Sequence, residues 1–171
     1  DRIGFKATVD IKDKVGCVAA VDWGMDNDYT VLAIMNSNKE VCYINRWRKL
    51  EWHTLISEIN AALRAYGNPM VYAEKNGIGN MPTKELKRVY GATFEWITTN
   101  ASKTDIIMRL SKDLHTSEKK DKVYLPNIDY VKEEFENYGF SYENNLMKFG
   151  NMKSDVNDDT VMAIAIANAN F

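Results

Sequence analysis

Cysteine and histidine are scarce in this chain, with two of each among 171 residues. Cys17 and Cys42 sit inside apolar runs and read as reduced core residues, not as a disulfide framework. His53 and His115 occupy helix-like stretches without a ligand partner at useful spacing, so they read as structural or surface residues. Together these shortages argue against a zinc site. There is no Gly-x-Ser-x-Gly elbow and no Cys–His pair, which leaves nucleophilic catalysis without support. There is no Gly-x-x-x-x-Gly-Lys-Ser/Thr loop, so ATP hydrolysis by that device is not expected. Neither a signal peptide nor an apolar run of about 18 residues is found, so secretion and a membrane span are not expected. Positive charge is not in excess either. A formal net charge of −2 argues against binding nucleic acid by bulk charge, although an acidic site would itself lower that total.

What remains is ordinary for one soluble globular domain: 45% apolar and 27% charged residues, enough to bury a core. The first residue is Asp1 and Phe171 closes a helix without an obvious cap, so we expect one domain, residues 1–171, cut from a longer chain. Residues 17–22, 30–36 and 40–47 are β-branched or apolar runs separated by short polar turns, which predicts an antiparallel meander. Leu55, Ile59, Ala62, Leu63 and Tyr66 fall at helical spacing up to Gly67. Met70 to Glu74 then predicts a buried strand, parallel to an earlier one because a helix precedes it. Helices are expected at 81–89, 102–114 and 130–138, strands at 92–98 and 123–126, and a hairpin over 140–149. Val161 to Ala167 is apolar on every side, which predicts a helix buried in the structure. One mixed sheet with helices on both faces is the expected α/β layering.

Four acidic stretches carry the chemistry. Cys17-Val18-Ala19-Ala20-Val21 is apolar enough for a central strand, and it closes on Asp22. Glu74 closes Met70-Val71-Tyr72-Ala73 in the same way, ahead of the turn Asn76-Gly77-Ile78-Gly79. Asp158 and Asp159 open the last helix, and Asp28 follows Asp22 by six residues. A carboxylate at the mouth of the core is costly without a partner. Capping explains one acid at a helix start but not Asp158 and Asp159 beside Asp155, whose mutual repulsion a cation would relieve. Asp159 shares a face with Met162, Ala163 and Ile166 and should point toward the strand ends, with Asp158 about 100° further round. Oxygen-only donors suit hard divalent cations. Two such ions about 4 Å apart can activate water and stabilise a leaving oxygen in phosphodiester cleavage.

From about Val15 to Ala169 the chain resembles the ribonuclease H-like nuclease domain of large terminase subunits, which package and cut DNA in tailed bacteriophages. The likeness rests on Val21-Asp22-Trp23-Gly24 with Asp28-Tyr29-Thr30, on Glu74-Lys75-Asn76-Gly77-Ile78-Gly79, and on Asn157-Asp158-Asp159-Thr160-Val161-Met162-Ala163. Family members often carry His in place of Asn157. The resemblance implies a ribonuclease H-like fold and a metal-dependent endonuclease acting on double-stranded DNA. Asp22, Glu74 and Asp159 would be the catalytic acids and core ligands of Mg²⁺ or Mn²⁺ in a two-ion site, with Asp158 and Asp28 auxiliary. It also implies an amino-terminal ATPase motor, a portal and a small terminase subunit as partners, in the cytoplasm of a bacterial host. The isolated domain would be monomeric. A Holliday-junction resolvase, a transposase core, or a non-catalytic protein-binding domain of the same fold are the alternatives.

Basic residues suggest where DNA would lie. Lys148 and Lys153 flank the approach to Asp158, and Lys84, Lys87 and Arg88 share a helix near the Glu74 turn. Arg46, Arg48 and Lys49 cluster with Trp47 after the third strand. The cluster nearest the carboxylates has the best claim, because phosphates must come there.

Overall fold

The run from Val18 to Asp22 is strand β2, the middle of a five-stranded sheet ordered β4 (Val41–Trp47), β3 (Thr30–Met35), β2, β5 (Met70–Glu74), β6 (Thr93–Trp96). A computed structural model of the chain describes residues 3–24, 28–75, 77, 80–139 and 158–171. The expected meander is there: β3 (Thr30–Met35) pairs antiparallel with both β2 and β4 (Val41–Trp47). Helix α1 (Trp52–Ala65) then carries the chain across to β5 (Met70–Glu74), which runs parallel to β2 as the crossover requires. Helix α2 (Asn80–Tyr90) leads to β6 (Thr93–Trp96), parallel to β5. Next come α3 (Asn100–His115), β7 (Tyr124–Pro126), α4 (Asp129–Tyr138) and α5 (Asp159–Ala169).

Strand alternation splits the core into two layers. Ala19, Val21, Leu32 and Ile34 face α1 and α2, meeting Leu55, Ile59, Leu63 and Leu86. Ala20, Val31, Ala33 and Met35 face the other way, onto α3, α4 and α5, with Leu110, Phe135 and Ile164 among their partners. Helix α5 is buried from Thr160 to Asn168. Its all-round apolar pattern therefore reported burial correctly, since it lies between the sheet and two other helices.

Three local differences from the sequence expectations stand out. Helix α3 begins at Asn100 because Thr99 and Ser102 form a reciprocal capping box, with Ser102 N donating to Thr99 Oγ1 at 3.1 Å and Thr99 N to Ser102 Oγ at 2.8 Å. Strand β6 is shorter than 92–98. Gly4–Lys6 forms an unexpected strand, β1, parallel to β7. Three residues paired to a segment more than a hundred positions away leave no local signal. The hairpin expected over 140–149 lies outside the described residues.

One charged pair is buried with the apolar residues. Lys39 Nζ reaches Asp113 Oδ2 at 3.0 Å, and Asn168 Nδ2 donates to the same oxygen at 3.0 Å. This links the β3–β4 turn, α3 and the end of α5.

Candidate metal centre

The C-terminal ends of the two central parallel strands bring the first two acids together. Strand parity points Asp22 and Glu74 to the α5 face, since Ala20 pairs with Tyr72 and both pack there. Asp22 is only 8% exposed. The turns beyond these strands are locked to one another. Trp23 Nε1 donates to Thr83 Oγ1 at 2.8 Å, and that hydroxyl donates to the Glu74 carbonyl at 2.6 Å.

Gly24 comes next for a steric reason. A Cβ on it would stand 2.4 Å from the carbonyl carbon and oxygen of Tyr29, and 2.7 Å from the Asp28 oxygen. These are backbone atoms, so Gly24→Ala should push the turn bearing Asp28 away and lower the melting temperature. A variant melting like the parent would show that the turn yields freely.

Helix α5 supplies the third acid. Asp159 sits in its first turn, against Asp22, as its spacing with Met162 and Ile166 predicted. Burial, then Asp159, Glu74 and Asp158, hold the Asp22 carboxyl well above the usual carboxylate range. Asp159 is raised as well, by burial foremost and by Asp158, Asp28 and Glu74. Its Oδ2 is buried and has no hydrogen-bond donor among the described residues. Glu74 is raised by burial and by Asp158, against the opposing effect of Thr98 and Lys103. Thr98 Oγ1 donates to Glu74 Oε2 at 3.3 Å, and Trp96 Nε1 donates to Thr98 Oγ1 at 3.1 Å.

Asp158 occupies the N-cap position of α5 but caps nothing with its side chain. It pairs with Lys103 of α3 instead, at 3.3 Å. The capping carboxylate comes from another helix: Glu134 Oε1 accepts the Val161 amide at 2.9 Å. Glu134 is 6% exposed, and burial pushes its carboxyl up to about 7. Lys103, Thr98 and Glu134 were missed as site residues. For Glu134 the signal existed, because it lies on the apolar stripe formed by Val131, Phe135 and Tyr138. Nothing local distinguished Lys103 from a solvated lysine.

Asp28 is exposed and lines a cleft of about 760 Å³ with Trp47, Trp52 and Met81, on the α1 side of the sheet. Lys84, Lys87 and Arg88 stand on α2, which packs on the face opposite the acids, and Arg88 is engaged by Glu85. Lys148, Lys153, Asn157 and most of the Asn76-to-Gly79 turn lie outside the described residues. His115 is buried, with Nδ1 2.8 Å from the Ser111 carbonyl, and His53 is exposed. Both free cysteines lie in or beside the sheet.

The donor set fits a hard cation. It is oxygen only, it contains a buried unsatisfied carboxylate oxygen, and its members repel one another in the absence of positive charge. Among the described residues no three His, Cys, Asp or Glu side chains are close enough to enclose an ion by themselves.

The raised carboxyls set a pH dependence. Between the unfolded values near 4 and the folded ones, the folded chain binds more protons than the unfolded chain, so ΔG of unfolding falls as pH rises. Each extra proton held contributes a slope of about 1.4 kcal/mol per pH unit. In EDTA the melting temperature should therefore drop from about pH 5.5 to about pH 8, and saturating Mn²⁺ at the higher pH should restore it. A melting temperature that rises over that interval in EDTA would contradict this assignment.

The model of the terminase RNase H-like domain matches residues 19–170. The chain belongs to this family. Its fold is shared with solved large terminase nucleases. The magnesium-bound nuclease of thermophilic phage G20c is 22% identical with a TM-score of 0.73, covering 90% of this chain and 80% of that one. The nuclease domain of Thermus phage P74-26 is 18% identical, with a TM-score of 0.72 over 91% and 79%. The gp2 nuclease domain of bacterial virus Sf6 is 10% identical, with a TM-score of 0.68 over 94% and 91%. Other structures of the G20c nuclease hold zinc or cobalt, and those of the Sf6 domain hold calcium or manganese. No curated protein matches the chain. No described helix is long and apolar enough to cross a membrane.

Proposed function

We propose that this domain is a metal-dependent endonuclease that cuts double-stranded DNA during viral genome packaging. The observation that carries the proposal is the buried Asp22 with the half-buried Asp159, Glu74 and Asp158 beside it at the strand ends of a terminase-family fold. Such a cluster costs stability unless something positive enters it. The family match favours packaging over a resolvase or transposase core, and the orphaned Asp159 oxygen speaks against a solvated, non-catalytic surface.

Asp22, Glu74 and Asp159 would hold one or two Mg²⁺ or Mn²⁺ ions, with Asp158 and Asp28 auxiliary. A divalent cation bound there would help form the attacking hydroxide and neutralise charge on the leaving oxygen. The chain's own groups prepare that site. Burial and the neighbouring acids favour the neutral forms of Asp22 and Asp159, and positive charge in the site would reverse that. Thr98 holds the Glu74 carboxylate in place, Lys103 holds Asp158, and Glu134 fixes the start of α5 so that Asp159 faces the strands. Lys148 and Lys153 on the approach to Asp158, together with Lys84, Lys87 and Arg88, are candidates for phosphate contact. In the longer protein, an ATPase motor, the portal and a small terminase subunit would be the partners, in the host cytoplasm, and this domain alone would be monomeric.

Plasmid cleavage tests the proposal. Mg²⁺ or Mn²⁺ should support cutting, EDTA should abolish it, and ATP should change nothing in this domain. Undiminished cutting in EDTA, or none with either metal, would sink it.

A further inference from the structure

Strand register aligns three side chains at one end of the sheet. Asp22 pairs with Val31, and Val31 pairs with Arg46, so all three point to the α5 face. Arg46 therefore lies two strand spacings from Asp22, about 10 Å. That is the span of two or three nucleotide steps at about 3.4 Å of rise each.

The guanidinium of Arg46 is held between two rings, 4.0 Å from the centroid of Tyr29 and 3.9 Å from that of Tyr130. Arg48, just past the end of β4, sits 4.6 Å over the Tyr29 ring as well. Ring contact occupies the flat faces of a guanidinium and leaves its edge donors free. Among the described residues neither arginine lies within 4.0 Å of a carboxylate. Two like charges thus share one aromatic ring with no carboxylate paired to either among the described residues, in a chain whose formal charge is −2. Preorganised forks of this kind match the geometry of a phosphate. Tyr130 stands one turn before Glu134 on α4, so the helix that braces Arg46 also caps α5.

We infer that Arg46 and Arg48, braced by Tyr29 and Tyr130, anchor a backbone phosphate of the DNA strand that enters the acid site. The inference rests on the nuclease proposal for its ligand. It places the anchored phosphate on the α5 face, so that Lys84, Lys87 and Arg88 would meet only a stretch of the duplex that passes round to the α2 side.

Binding of a fluorescent duplex oligonucleotide in EDTA, at several salt concentrations, tests it without cleavage. Arg46→Ala with Arg48→Ala should weaken binding about 100-fold and flatten the log K against log salt slope by about 1.8, which is 0.9 for each of two contacts. Lys119→Ala with Lys120→Ala removes the same charge at the opposite end of the sheet, beside Ser37 and Asn38, and should change affinity by less than about threefold. Arg46→Lys should keep the slope and lose several-fold in affinity, because the fork is gone. Should the alanine pair melt early, Arg46→Gln with Arg48→Gln keeps the stems and is expected to show the same loss. Equal weakening by the two double variants would overturn the anchor. So would an unchanged slope in the arginine pair while Lys148→Ala with Lys153→Ala loses it. Loss of inorganic phosphate binding without loss of duplex binding would overturn it as well. Parental protein that binds duplex through these arginines yet cuts nothing with Mn²⁺ would sink the nuclease proposal and leave the anchor in place.

Discussion

Asp22→Asn, Glu74→Gln and Asp159→Asn are each expected to lower metal-dependent plasmid cleavage by at least about 100-fold, because even partners one step removed from a metal cost 10- to 100-fold. The same changes should leave the domain folded. For Asp22 and Asp159 they should raise the melting temperature in EDTA by a few degrees. The reason is relief of like charge: an amide at either position is neutral at every pH and can donate to a neighbouring carboxylate. Relief of roughly 1 kcal/mol corresponds to about 2–4 °C in a domain of this size. Asp158→Asn and Asp28→Asn should cost about tenfold in cleavage, since one is tied to Lys103 and the other faces the cleft. Cleavage assays beside melts in EDTA check both halves. Parental cutting rates in all three core variants would mean the acids are misassigned.

Asp113→Ala is expected to have the largest effect on stability, about 3–5 kcal/mol. Asp113 Oδ2 is the partner of Lys39 and Asn168 at 3.0 Å each, and both charged side chains are 9% exposed. Truncating the acid strands a buried ammonium without compensation. A loss of that size lowers the melting temperature by roughly 10 °C. Replacing both partners, Lys39→Met with Asp113→Leu, should recover most of it, because burying two apolar side chains avoids the desolvation cost of two ions. Denaturant titration of the three proteins measures this. A single variant within 1 kcal/mol of the parent would show that water reaches Lys39.

The acids were legible because they interrupt apolar runs. Asp22 and Glu74 end strands buried enough to need no partner to be recognised, and Asp159 starts a helix with no polar face. The antiparallel meander and the parallel β5 were legible for a related reason, since short turns and crossover helices leave only those geometries. The supports of the site were not legible. Lys103, Thr98 and Glu134 lie on α3, before α3 and on α4, and each meets its partner 24 to 55 positions away. Such contacts have no period for a sequence pattern to show. The N-cap of α5 illustrates the difference. Sequence reading allowed one of the two adjacent acids at the helix start to be the cap, yet the capping carboxylate is Glu134, and Asp158 pairs with Lys103 instead.

Pattern and spacing alone determine the α/β layering and the buried last helix, and they nominate the three acids, because burial of apolar side chains acts locally at periods of 2 and 3.6. Only the tertiary structure decides which charges meet. It sets Asp22 against Asp159, pairs Asp158 with Lys103, turns α2 and its lysines to the far face, and brings Arg46 between Tyr29 and Tyr130. The physical reason is that sheet register and helix packing position side chains across the fold, and electrostatic partners follow distance in space, not separation along the chain.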